Sequence, residues 1–266
     1  MALTVPRGAP QPGTWDATDR WRPQRRSALY ARQVALGARF VDLAGWQVPA
    51  AFRPPEEEMA AARAGVGLVD LSALGKLRLL GRDAPARLAE TLPDGTVPPP
   101  GRVARLDLAP LGAPASAGSS GGAEPQGLLL GLTPDELLLL TPPEAVERVM
   151  AHLETTVCAG DRCVHLADLT STLLALGVVG PESQQLLMRA TSLDVRPWRL
   201  PDKACAQGSV VKVPAILARD DRGALPTYLL LASRAYGEYL WDALAQVGDG
   251  LGIAPLGHEA WLALGG

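Results

Sequence analysis

Lys76-Leu77-Arg78-Leu79-Leu80-Gly81-Arg82-Asp83-Ala84 decides the fold, because its pattern returns later in the chain. Its first residues alternate as a short strand, a glycine ends the strand, and an Ala/Leu/Arg segment of helical character follows. Leu173–Val179 is a second such strand, followed by Gly180-Pro181-Glu182-Ser183 and a helical stretch over 184–190. In both copies an acid sits in the first helical turn, where the positive end of the helix dipole favours it.

A second pair of units repeats around the first. An apolar strand over 136–140 leads through Thr141-Pro142-Pro143-Glu144 into a helix ending near 154. A strand over 227–231 leads into a helix over about 235–247, where Tyr236, Tyr239, Leu240, Ala243, Leu244 and Val247 share one face. Each half therefore reads strand, helix, strands, strand, helix, the order of a split βαβ, ferredoxin-like unit. Two such halves, about 65–157 and 164–250, predict a duplicated α+β domain over 29–266 with a ligand cleft between the halves.

The 266 residues carry a net charge of −3, with 47% hydrophobic and 20% charged residues. That composition can bury a core, which excludes wholesale disorder. The slight acidity argues against nucleic acid as the partner. No apolar run approaches the ~18 residues of a membrane span, so no membrane association is expected. Cys158, Cys163 and Cys205, with no secretory signal, fit a reducing cytoplasm. The gap between the first two is wider than in zinc knuckles, no second pair follows, and no metal site is expected. Asparagine is absent. Residues 1–28, rich in Pro, Trp and Arg, read as an extended arm that wraps the domain or a partner, or is disordered. The Ala/Ser/Gly-rich stretch 111–126 reads as a flexible, protruding loop.

Several runs carry a family resemblance. They are Val41-Asp42-Leu43-Ala44-Gly45-Trp46, then Gly67-Leu68-Val69-Asp70-Leu71-Ser72-Ala73-Leu74-Gly75-Lys76, then Leu80-Gly81-Arg82-Asp83-Ala84. Later come Leu176-Gly177-Val178-Val179-Gly180-Pro181 and Ala260-Trp261 with Leu264. In order and spacing these resemble the glycine cleavage system T-protein, the tetrahydrofolate-dependent aminomethyltransferase, over about 28–264. The resemblance implies a duplicated α+β folate-binding fold with tetrahydrofolate in a central channel, here without the family's C-terminal barrel domain. It also implies a catalytic Asp in an N-x-x-G-G-x-x-D-D hairpin and a pterin-clamping Glu in an R-x-G-Y-T-G-E-x-G-Y-E stretch. The hairpin's place, around 110–130, is taken by the Ala/Ser/Gly loop, with Asp107 and Glu124 the acids nearby. The clamp stretch aligns with Arg219-Asp220-Asp221-Arg222-Gly223-Ala224-Leu225-Pro226-Thr227-Tyr228, and Tyr228 stands where the Glu would be. Carried over residue by residue, the resemblance implies folate contacts at Leu74, Lys76, Arg219 and Tyr228, and assigns no catalytic residue.

Tyrosine offers the pterin edge one neutral oxygen in place of a bidentate carboxylate. Aminomethyl transfer needs a positioned acid or base, whose loss costs at least ~10²-fold. The sequence therefore predicts a tetrahydrofolate-binding protein with weak or no aminomethyltransferase activity. Two alternatives stand beside it. One is a non-catalytic partner subunit of a flavin-dependent amine oxidase complex, like the gamma subunit of heterotetrameric sarcosine oxidase. The other is an active folate-dependent aminomethyl or methyl transferase using other residues. Lys76 either faces folate's glutamate tail or is a solvated lysine at a strand start. Arg219 and Tyr228 either line the pterin pocket or are an exposed arginine and a strand-face tyrosine. Trp46 and Trp261 either stack on a ring or pack a core or interface. Glu56-Glu57-Glu58 reads as a solvated first helical turn, and His152, His165 and His258 belong to no nucleophile motif.

Overall fold

The computed structural model describes residues 25–113, 126–160 and 163–265. The arm expected over 1–28 falls outside the described residues up to position 24, and the flexible loop from 114 to 125. Arg25–Arg26 (β1), Arg39–Leu43 (β2) and Trp46–Ala51 (β3) make a small sheet ordered β1-β3-β2, accompanied by the helices Tyr30–Ala35 (α1) and Pro55–Ala64 (α2). Then come Val66–Asp70 (β4), Gly75–Leu80 (β5), Ala84–Ala89 (α3), Val103–Asp107 (β6), Gln126–Thr133 (β7), Glu136–Thr141 (β8) and Val146–Thr156 (α4). The second passage runs His165–Asp168 (β9), Leu173–Val179 (β10), Ser183–Ala190 (α5), Cys205–Val210 (β11), Val213–Arg219 (β12), Thr227–Ser233 (β13) and Gly237–Val247 (α6). Ile253–Leu256 (β14) and His258–Ala263 (α7) follow.

The two large sheets have the orders β6-β7-β8-β5-β9 and β11-β12-β13-β10-β4-β14. The halves are thus a true repeat, with one feature that periodicity does not reveal. Each half's opening strand leaves for the other half's sheet. β4 pairs antiparallel with β10, Asp70 opposite Leu176, while β9 pairs antiparallel with β5, Asp168 opposite Leu77.

Both faces of each sheet are covered, so the strands are continuous apolar runs and not alternating ones. In Leu137-Leu138-Leu139-Leu140 the odd residues pack with Leu77 and Leu79 under α3 and α4, and the even ones with Leu128 and Leu130 between the two sheets. Helix α4 buries Val146, Val149 and Leu153 at spacings of three and four. Helix α6 buries Leu240 and Leu244 with Val247 packed against the core, as expected, and adds Trp241, while Tyr239 and the preceding Tyr236 of the same expected face are exposed. Its first turn is pressed onto the chain leading into α1, since a Cβ on Gly237 would come within 2.7 Å of the Ala28 Cβ. Trp241 and Leu29 belong to the same buried cluster. Glu58, expected to be solvated, is 3% exposed; Glu56 and Glu57 are exposed.

Candidate functional site between the two sheets

A cavity of about 1210 Å³ is walled by strands of both large sheets. Its apolar lining comes from Leu71 and Leu74 of the β4–β5 turn, Leu128 of β7, Leu140 of β8, Leu229 of β13 and Trp261 of α7. The β2–β3 hairpin contributes Leu43, Ala44 and Val48, and its tight turn puts Ala44 at φ 50°. Polar groups gather on one side: Asp220, Asp221 and Arg222 in the β12–β13 turn, Arg105 on β6, Glu144 after β8 and His258 at the start of α7. Asp70 lies at the end of β4.

Most of these charges are already engaged. Arg105 donates to Asp220 at 3.1 Å, and Lys203 pairs with the same carboxylate. Asp221 receives Arg219 through two contacts, 2.9 Å and 2.8 Å, and the Thr227 amide at 3.0 Å. This carboxylate holds the Arg219 guanidinium above its ordinary pKa. Asp70 accepts from the Ser72 amide at 3.0 Å, the Gln33 side chain at 2.6 Å and the Ser27 hydroxyl. The Arg222 guanidinium stands over the Trp261 ring, and burial pushes its pKa down to about 10. Burial also lowers His258, opposed by Glu144.

Of the four residues singled out from the resemblance, Leu74 lines the cavity. Lys76 is fully buried beneath the turn, its ammonium 2.7 Å from the Ser72 carbonyl and 3.3 Å from the Thr170 carbonyl. Arg219 and Tyr228 come together as cross-strand partners, the guanidinium 5.5 Å from the ring centre. Tyr228 is fully buried with Leu230, Ala232 and Leu240, on the face of β13 away from the cavity, and burial raises its hydroxyl pKa. Thr227 and Leu229, its immediate neighbours, are the residues that reach the cavity, as the two-residue period of a strand requires. Asp70, Arg105, Asp221 and Arg222 line the cavity too, and none is among the four residues the resemblance implies. The sequence signal for Asp221 and Arg222 was present in Asp220-Asp221-Arg222, a charged run between two apolar strands.

The sequence matches the GCVT N-terminal domain family over residues 29–264. An aminomethyltransferase of Streptomyces coelicolor is 30% identical over 235 residues, covering 88% of this chain and 60% of that protein. An aminomethyltransferase of Thermus thermophilus is 29% identical over 84% of this chain and 61% of its own length. The chain therefore spans about 60% of the length of these relatives. Among solved structures, glycine cleavage system aminomethyltransferase T of Bartonella henselae superposes with a TM-score of 0.74 at 20% identity, over 91% of this chain and 62% of that one. A chain of the heterotetrameric sarcosine oxidase of Corynebacterium sp. U-96, in complex with pyrrole 2-carboxylate, superposes with a TM-score of 0.59 at 18% identity. That match takes in 86% of this chain and 97% of the other. With nearly all of its described fold inside the matched region, the chain belongs to the GCVT N-terminal domain family.

Proposed function

We propose that this protein binds tetrahydrofolate in the cavity between its two sheets and has weak or no aminomethyl transfer activity. The observation that carries the reading is the cavity itself. At about 1210 Å³ it is larger than the ~300–1,000 Å³ of an ordinary small-molecule site. It suits an elongated ligand with an aromatic head and a charged tail. Its leucines and Trp261 offer the apolar walls a pterin and benzoyl ring need, and its polar side offers donors and acceptors. Weak activity is supported by the state of three of its carboxylates. Asp70, Asp220 and Asp221 are each held by other donors, which leaves none of them poised to exchange a proton with a folate nitrogen. A thermal-shift titration with tetrahydrofolate and 5-formyl-tetrahydrofolate tests this. Saturation at a hundredfold over Kd stabilises a fold by about 2.7 kcal/mol, a rise of roughly 5–10 °C for a chain of this size. Leu74→Trp, which fills the cavity, should abolish the rise. No rise with millimolar folate overturns the reading.

A second reading is favoured by the match over 97% of one chain of heterotetrameric sarcosine oxidase. In it the protein is a non-catalytic subunit of a flavin-dependent amine oxidase complex. Purification from the source cells under native conditions tests it: a stoichiometric complex with flavin absorbance supports it, and a lone monomer sinks it.

A further inference from the structure

Several of the charges around the cavity are paired, and Arg222 is not among them. Arg105 is taken by Asp220, Arg219 by Asp221, and Lys203 by Asp220. Among the described residues no carboxylate forms an ion pair with Arg222. Its guanidinium carbon stands 3.5 Å from the centre of the Trp261 ring, and its Nη1 donates to the Trp261 carbonyl at 2.8 Å. Stacking fixes the plane of the fork, and the single carbonyl contact leaves most of its five N–H groups free to be used. A guanidinium held half-buried without a counter-ion is costly, and an incoming anion removes that cost. His258 stands beside it on α7, close enough for the two positive charges to oppose each other. The charged groups facing this pair are Asp220 and Arg105 from the strand side, and Glu144 and Glu259 around His258.

We propose that Arg222, stacked on Trp261 with His258 beside it, is a carboxylate subsite of the cavity. A planar carboxylate matches the fork through two parallel N–H···O bonds, which a compact point charge cannot do. This rests on the folate reading and sets the ligand's direction. The glutamate tail lies at Arg222, where Gly223 and Leu262 are exposed, and the ring end lies toward Leu71, Leu74 and Leu128.

The test compares two ligands on the full chain: tetrahydrofolate, and 6-methyl-tetrahydropterin, which has the ring and no carboxylate. Wild type should bind tetrahydrofolate at least about 10-fold more tightly, since the carboxylate contact adds to that of the benzoyl ring the pterin also lacks. Arg222→Gln should weaken tetrahydrofolate about 10- to 100-fold and leave the pterin, which lacks the carboxylates, unchanged. Arg222→Lys, which keeps the charge without the fork, should recover part of the difference. NMR titration of His258 supplies a readout that a merely structural role would not move. Bound tetrahydrofolate should raise its midpoint in wild type, and the pterin should not. Equal affinities in wild type overturn the subsite and leave the folate reading standing. Equal loss of both ligands in Arg222→Gln also overturns it, because Arg222 would then only be holding α7 in place. Binding of neither ligand to wild type overturns both proposals.

Discussion

Lys76 and Thr170 meet twice: the Lys76 amide donates to the Thr170 hydroxyl at 3.1 Å, and the Lys76 ammonium to the Thr170 carbonyl at 3.3 Å. The repeat supplies the mirror of the first contact, since the Ala175 amide donates to the Ser72 hydroxyl at 3.3 Å. Leu71 and Leu169 amides likewise donate across, to the Ala175 and Lys76 carbonyls. Asp70 and Asp168 each close a short turn onto the amide two residues on. Two equivalent crossovers therefore lie back to back, and a single ammonium bridges the Ser72 and Thr170 carbonyls.

Burial pushes the Lys76 ammonium down to about 8, against the pull of Asp70 and Asp168, with Arg234 adding a smaller push the same way. A lysine whose folded pKa is depressed costs stability while it is charged in the fold. Between about pH 8 and its unfolded value near 10.5 the unfolded chain binds more protons, so unfolding free energy rises with pH in that window. The size is of order 2–4 kcal/mol. Chemical denaturation across this range should show the rise in wild type, and Lys76→Met should lack that component. The same rise in the variant would assign it to other groups.

Gly81 and Gly180 end the equivalent strands β5 and β10 at φ 140° and 126°. A Cβ on Gly81 would sit 1.9 Å from the Cys163 carbonyl oxygen, and one on Gly180 2.3 Å from that of Ala62. Backbone cannot move aside as a side chain can. Alanine at either position should cost roughly 2–4 kcal/mol. Gly95, at φ 63° with open space around it, is the control. Alanine there should cost about 1–2 kcal/mol, from the backbone alone. Equal Tm losses at all three would refute the steric argument.

Glu58 ties three segments together. One oxygen accepts the Phe52 and Arg53 amides at 2.5 and 2.8 Å, and the other accepts the Gly257 amide at 2.7 Å. Glu58→Ala strands three backbone donors, that of Gly257 buried and those of Phe52 and Arg53 part-buried, and should destabilise by about 1–3 kcal/mol. Glu58→Gln should rescue little, because its NH2 must face at least one backbone N–H. Full recovery in the glutamine variant would show that charge and acceptor count do not matter here. Because Gly257 precedes α7, both variants should also loosen the Trp261 wall of the cavity.

The three thiols should separate by reactivity. Cys163 is exposed, and Cys205 is buried, its thiol pushed up to about 11. Burial also raises Cys158. Thiolate is the reactive form. A disulfide reagent on native protein should therefore modify Cys163 quickly, Cys158 slowly and Cys205 only after unfolding. Simultaneous release from all three would contradict the packing around Cys205.

The repeat was readable from 76–84 and 173–183 because strand, glycine and helix follow one another locally. The exchange of β4 and β9 was not, since periodicity names a strand without naming its neighbour. The same limit governs the site. A motif match can place Arg219 and Tyr228 in the right hairpin, but register decides the face, and one residue's shift moves a side chain from cavity to core. Glu58 looked like its neighbours Glu56 and Glu57 because helical dipole logic treats a first turn uniformly. What set it apart was the Gly257 amide, far away in sequence.

The exchanged strands also set an order of events on the ribosome. While the chain emerges, β5 lacks its outer neighbour until His165–Asp168 appears, and β4 has no sheet to join until Leu173–Val179 follows. Neither half can close early and wait, so the nascent chain carries open sheet edges until most of its length has been made. Folding of the two halves is one committed step, and a cut between them would give two incomplete sheets and no smaller folded unit.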